Sequence, residues 1–489
     1  MNALKPIIAV VIVLNLALVA WLLLRTDPST DVVDTKQITD ELLSAETLSN
    51  SRYDIQDRAS ELNIILISLD ALRFDHTGVG GHSGGLTRNL DQFAEEAVVF
   101  HGVTSVAPWT LPSHMSVWTG RWPSVHGVTN KLKLLSQDQM VESTLSPGIE
   151  TYPDRLIRKG FIAAGFTGGA GVQGKYGFSR NFDRYLDDRY FGGFDYSIPA
   201  ALDWLKQNRD SQFFLFLHGY DVHGQYALSE GALSALASES SSDLNGDIEE
   251  NADLREASLA AIDKPGDPPD LTAQLSEADA AFLKSVYASK VRDADQRVGN
   301  FLNQLRSLGL FDRSIIVIMS DHGDEFMEHG AVDHGATLYQ EQLHTVLMMR
   351  IPGYTKKNDI TVPVRSLDIF PTLFDLLQIE PPSGVDGQSL VPLLRGENQT
   401  LPVFSETDYR LFTHLRMTRR GNHKLVLDLQ DGGRELFNIA NDPLEQTNIS
   451  SAEPRITYEL EQSLRAWMDE TRTNPEDYLG VKQQPISIF

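Results

Sequence analysis

The chain has 489 residues, 41% of them hydrophobic, enough for a large globular core and, by length alone, two or three domains. A formal net charge of -25 argues against nucleic acid, whose phosphates such a surface repels, but leaves an anionic small substrate open, because a metal or local dipoles can invert the field inside one pocket. The absence of cysteine excludes disulfides, thiolate metal sites and cysteine nucleophiles together.

Pro6 to Leu24 is almost wholly apolar, with Lys5 before it and Arg25 after it. About 19 residues at 1.5 Å per residue span a hydrocarbon core. Residues 1–25 therefore read as an uncleaved signal anchor, a membrane helix that leaves the globular part outside the cytoplasm, periplasmic or extracellular. Residues 26–61 read as a polar tether.

The fold is expected to begin at Leu62. NIILISLDALRFD is an apolar run ending in acid, the pattern of a buried parallel strand whose carboxyl end carries a functional side chain. LDQFAEEAV predicts a helix, and Val99 to Val103 a short strand. In APWTLPSHMSVWTGRWPSVHGV the spacing predicts a helix opening at Thr110, with Pro112 in its first turn and Gly120 as its C-terminal stop. Thr110 can be a plain cap there, or a hydroxyl held against an anion at a helix N-terminus.

Helix-then-strand order recurs in TYPDRLIRKG with FIAAGFTGG, in SIPAALDWLKQN with QFFLFLHGYDVHG, and in YASKVRDADQRVGNFLNQLRSLG with SIIVIMSDHGDE. The pattern predicts an α/β fold, a mostly parallel central sheet sandwiched by helices, over residues 62–400; LHTVLMMRIPG adds one more strand. Residues 228–270 form an acidic insertion, read as a solvated excursion or a lid. Residues 401–489 predict a small C-terminal subdomain, an antiparallel sheet closed by the amphipathic helix EPRITYELEQSLRAWMDE.

Taken singly, the acids and histidines at the strand ends are unremarkable. Placed on one sheet edge, Asp70, Thr110, Asp321 and His322 form a mainly oxygen ligand set for a divalent cation. A bound hydroxyl then becomes a nucleophile.

Together, NIILISLDALRFD, the Thr110 turn with TGRWPSVHGV, FLFLHGYDVHGQY, IMSDHGDEFMEHG with DHGATLYQEQLH, VDGQSLVPLLRG and ELFNIANDPLEQTNI resemble the sulfatase family of the alkaline-phosphatase-like superfamily, in the right order from about Asn63 to Met468. The resemblance implies that Asp70, Thr110, Asp321 and His322 bind the cation, that Thr110 is the nucleophile, that His223 addresses the leaving group or ester oxygen, and that His334 faces the charged oxygens of the substrate. His114, Asn130 and His218 are weaker matches for substrate binding, and Glu325 and His329 are expected to support the site or its loops.

Two departures from the family pattern bear on mechanism. The residue that sulfatases convert to formylglycine is Thr110 here, in Thr110-Leu-Pro112-Ser-His114, and no cysteine is available to convert. The second acid of the first metal segment is Ala71, and His322 stands where many sulfatases have Asn, a change that moves the expected ion from Ca2+ towards Mn2+ or Zn2+. The expected activity is hydrolysis of sulfate or phosphate esters, leaning to phosphate or phosphonate mono- or diesters. A membrane-anchored transferase of a phospho-headgroup and a non-catalytic binding module are the alternatives. The expected partners are an anionic ester and the membrane, with no nucleic acid and no oligomeric state implied.

Overall fold

The structure, a computed structural model, describes residues 62–136, 139–224, 277–354, 359–411 and 413–473. The expected anchor, tether and acidic insertion, and residues 474–489 of the expected C-terminal subdomain, lie outside the described residues. No helix among the described residues is long and apolar enough to cross a membrane.

Asn63–Leu69 is a fully buried strand at the centre of an eight-stranded sheet. The order across the sheet is Asp359–Ile360, Val98–Phe100, Leu347–Arg350, Ser314–Met319, Asn63–Leu69, Phe213–Gly219, Ile162–Phe166 and Arg184–Leu186. The five strands from Ser314–Met319 to Arg184–Leu186 are mutually parallel, and Leu347–Arg350 runs antiparallel to both of its neighbours.

Strand alternation divides the core into two faces. Ile64 and Leu66 pack with Met115, Trp118 and Phe370 on one side. Ile65, Ile67 and Leu69 pack with Leu205, Tyr287 and Phe301 on the other, beneath the helices Phe194–Asn208 and Glu277–Ser307. A continuously apolar strand is thus what a sheet covered on both faces requires.

The helix expected over LDQFAEEAV runs from Arg88 to Ala94 and gives way to a strand at Val98, whereas the Gly120 stop is where it was expected. Thr151 and Asp154 close a capping box ahead of Tyr152–Arg158. Gly120 ends the Thr110–Thr119 helix in the left-handed conformation, φ 64°, that an L side chain adopts only at a cost.

Residues after 400 form the expected antiparallel sheet, Val403–Thr407, Leu415–Arg420, His423–Asp428 and Arg434–Asn438, with the helix Pro454–Glu470 against it. Phe404 stacks on Trp467 at 4.8 Å, Trp122 meets both rings edge-on, and Glu406 N donates to Val106 O at 3.0 Å. These contacts bring residues 408–410 beside the helix that carries Thr110.

Candidate active site

Parallel register sets the geometry of the site. Ser68 lies opposite His218 on one neighbouring strand and Met319 on the other, so the residues that follow, Asp70 and Asp321, leave the sheet on one edge. Ala71 takes a left-handed backbone, φ 59°, and its N–H donates to Asp321 Oδ1 at 3.1 Å. Asp70 Oδ2 meets His218 Nε2 at 3.1 Å.

The Thr110–Thr119 helix is buried along its whole length and points its N-terminus at this edge. Trp109, not Thr110, occupies the cap position, and no side chain caps the helix. Of the two readings of Thr110, the plain cap is therefore set aside. Its hydroxyl lies 3.3 Å from His322 Nε2 instead. The loop at Gly171 fixes its other side, since a Cβ at Gly171 would come within 2.8 Å of Thr110 Cβ and 2.9 Å of Cγ2. Tyr220 Oη holds that loop, accepting from Gly171 N at 2.9 Å and donating to Gly169 O at 3.2 Å.

His322 Nε2 is the focus. Besides Thr110 it faces Asp321 Oδ2 at 3.3 Å and Asp70 Oδ1 at 3.7 Å. Its Nδ1 sits 3.0 Å from Gly323 O, to which it donates, and its Nε2 is turned towards two carboxylate oxygens. Those two oxygens, Asp70 Oδ1 and Asp321 Oδ2, are buried without a hydrogen bond. Two buried carboxylate oxygens turned on one another repel unless a positive charge stands between them.

The carboxyls record the same conflict. Burial and the charge of Asp321 push Asp70 well above the usual range, whereas His322 and His114 outweigh burial at Asp321 and hold it down. Asp70, Thr110, Asp321 and His322 thus offer three oxygens and an imidazole nitrogen of the kind a divalent cation takes, and they fit one.

His114 lies beneath this group rather than in the open pocket. It is fully buried, with Nδ1 3.0 Å from Thr110 O and 3.3 Å from Asp321 Oδ2, and Nε2 2.9 Å from Ser68 Oγ. It braces the first turn of the helix against the sheet. His218 is equally buried, against Asp70, and burial pushes it down to about 3.

His334 and His223 extend the site outwards as a row of rings, His322 to His334 at 4.2 Å and His334 to His223 at 4.8 Å. Asp324 Oδ1 and Asp333 Oδ1 hold His334 Nδ1 at 2.6 and 2.8 Å, and despite burial these carboxylates keep the imidazole well above its ordinary range. Phe191 covers the far side of His223 at 4.8 Å. Asn130 engages another loop, with Nδ2 donating to Asp408 O at 2.6 Å and Oδ1 accepting from Arg410 N at 2.8 Å. Both ends of its amide are thereby engaged by backbone.

Glu325, His329 and Glu341 form a separate cluster. Glu325 Oε1 accepts from the backbone N–H of His329 and Ala331, and Oε2 from Thr337 and Gln342. His329 is held by Glu341 at 2.6 Å and Glu445 O at 3.2 Å and stacks on Tyr339. This cluster is a satisfied polar network beside the site.

The sequence profile of the family described as Sulfatase matches residues 62–379, and the profile described as N-sulphoglucosamine sulphohydrolase, C-terminal, matches residues 327–474. The chain belongs to the sulfatase family. This sulfatase-family protein is a hydrolase of sulfuric or phosphoric esters; its sequence relatives are sulfatases by name, and a phosphonate monoester hydrolase is among the solved structures that share its fold. Arylsulfatase K of Xenopus laevis is 21% identical over 436 residues, covering 80% of this chain and 79% of that protein. The match to arylsulfatase K of Bos taurus, 26% over 227 residues, covers 44% of this chain and 42% of that relative. Among solved structures, a protein in complex with its substrate D-glucosamine-2-N,6-O-disulfate superposes with a TM-score of 0.69 at 18% identity, covering 86% of this chain and 100% of that one. The phosphonate monoester hydrolase of Agrobacterium radiobacter superposes at 0.67, also at 18% identity, covering 84% and 96%.

Sequence reasoning passed over Gly171, Tyr220, Phe191 and Asp324. Asp324 and Tyr220 lie within two residues of His322 and His218, a proximity that could have drawn attention to them. Gly171 and Phe191 come from loops and carry no pattern of their own.

Proposed function

We propose that this protein cleaves phosphate or phosphonate esters, in preference to sulfate esters, through Thr110 as a covalent nucleophile. The observation that supports this reading is Thr110 Oγ1, 3.3 Å from His322 Nε2 and beside Asp70 Oδ1 and Asp321 Oδ2, two buried oxygens that accept no hydrogen bond. Asp70, Thr110, Asp321 and His322 would hold a divalent cation, Mn2+ or Zn2+ before Ca2+. When bound, such an ion eases loss of the Thr110 proton and neutralises charge on the ester.

Thr110 Oγ1, its proton released to solvent, forms the new bond to phosphorus or sulfur while the bond to the leaving oxygen breaks, and His223 places its proton on that oxygen. His334, held cationic by Asp324 and Asp333, stabilises charge on the remaining oxygens. Water then gives a proton back to His223 and its oxygen to the phosphorus or sulfur of the Thr110 ester, and the departing Thr110 oxygen takes a proton from solvent, which releases the acid and restores the hydroxyl. A formylglycine hydrate expels sulfate with a second hydroxyl, which threonine lacks, so water must open the intermediate. That requirement supports phosphate and phosphonate substrates. The signal anchor expected in residues 1–25 would hold the site at a membrane outside the cytoplasm.

Matched sulfate, phosphate and phosphonate esters assayed side by side under Ca2+, Mn2+ and Zn2+ test the preference. Faster turnover of the sulfate ester than of its phosphate partner overturns it.

A further inference from the structure

The rim of the site carries two cations whose placement the reaction leaves unexplained. Lys131 Nζ lies 3.4 Å from Tyr190 Oη and 5.6 Å from the centre of that ring, and the Arg410 guanidinium lies 5.2 Å over the ring of Tyr409. Among the described residues neither forms an ion pair with a carboxylate, although the chain has a formal net charge of -25. The acid nearest Arg410 in sequence is engaged elsewhere: Asp408 Oδ1 takes Arg416 at 3.0 Å and His414 at 2.8 Å, and Oδ2 takes Arg416 at 3.1 Å.

Local structure joins these cations to the site. Asn130, next to Lys131, holds the backbone of Asp408 and Arg410. Tyr409, next to Arg410, packs 5.4 Å from Trp109, which precedes Thr110, and its ring is what a Cβ on Gly335, beside His334, would strike. Tyr190 stands 67% exposed, and the next ring, Phe191, faces His223 at 4.8 Å and Tyr220 at 5.0 Å. Phe191 and Arg410 both have left-handed backbones, φ 62° and φ 50°, which side chains of this size keep only where the surroundings hold them.

We propose that Lys131 and Arg410, with the rings of Tyr190 and Phe191, form an outer subsite for a ring-bearing substrate that carries a second negative charge away from the ester cleaved at Thr110. The proposal rests on Thr110 as the point of cleavage. The rings supply a face for a flat or cyclic leaving group, and the cations supply attraction for its distal anion on a chain whose net charge otherwise repels it. This subsite selects the leaving group, whereas Asp70, Asp321 and His322 serve the ester itself.

Titration calorimetry on the full chain with excess Mn2+ tests it, using phenylphosphonate and its 3- and 4-carboxy derivatives, none of which presents a cleavable ester. At least one carboxy derivative binds about tenfold tighter than phenylphosphonate to the wild type. The variant Lys131→Gln with Arg410→Gln loses that preference while its affinity for phenylphosphonate, the check on folding, holds. Equal affinities in the wild type, no measurable binding of either carboxy derivative, or a preference that survives both substitutions overturns the proposal. Thr110→Ala keeps the preference and loses turnover of phenyl phosphate. Turnover retained in that variant removes Thr110 as nucleophile, and the binding comparison still decides the subsite.

Discussion

Thr110 Oγ1 and His322 Nε2 face each other at 3.3 Å across the carboxyl edge of the sheet, one from a helix N-terminus and the other from a strand end. Replacing Thr110 by Ala removes the nucleophile without opening a large cavity, so kcat/KM should fall roughly a thousandfold or more with little change in melting temperature. Steady-state kinetics and thermal denaturation of the same preparation check this.

Gly171 should be nearly as sensitive although it bears no functional group. A methyl there would stand 2.8 Å from Thr110 Cβ and 3.2 Å from Tyr220 Oη, so the hydroxyl has to move. We expect Gly171→Ala to lower kcat by about 10- to 100-fold, the scale of an ångström-sized misplacement of a reacting group. Combining it with Thr110→Ser, which removes the Cγ2 contact, should recover part of the loss.

The buried carboxylates predict opposite effects of one substitution with and without metal. In metal-free protein Asp70→Asn relieves a buried charge beside Asp321 and should raise the melting temperature. With Mn2+ or Zn2+ added, the wild type should gain stability by ligand linkage and the variant should gain much less. Melting curves in chelator and in excess metal give both comparisons.

His329 makes a prediction in pH. Burial works against its charge, but the hydrogen bond and charge of Glu341 raise it from 6.5 to about 9. Its folded value lies above its unfolded value, so the stability it contributes is complete below pH 6.5 and is lost as pH rises through about 9. Removing it in His329→Gln should flatten the fall in melting temperature over that window relative to the wild type.

Asn130 is expected to act through its loop. Asn130→Ala leaves the carbonyl of Asp408 and the N–H of Arg410 without their partner, at about 1–3 kcal/mol for each group that stays buried. A lowered melting temperature with kcat for phenyl phosphate nearly kept would separate this role from direct contact with the reacting ester.

Much of the fold was legible because its local rules agree with one another. NIILISL reads as a doubly covered strand and is one, and Gly120 and Gly160 stop helices where their left-handed backbones are needed. The convergence of Asp70, Asp321 and His322 followed from strand ends on a parallel sheet, with the resemblance supplying the partners. Cap chemistry misled at Thr110, because Trp109 takes the cap position and tertiary contacts turn the hydroxyl to His322. His114 and Asn130 matched pocket positions by sequence, whereas their hydrogen bonds lie within the protein. Those partners, Ser68, Asp321 and the backbone of residues 408–410, are distant in sequence and no local pattern announces them.

The central claim is that a bond forms to Thr110. Rapid acid quench during turnover of a phosphate ester in the presence of Mn2+, followed by peptide mass spectrometry, tests it most directly. The account predicts a phosphorylated peptide with the modification on Thr110, absent from Thr110→Ala. Full turnover with no adduct on Thr110, together with undiminished activity of Thr110→Ala, would contradict it.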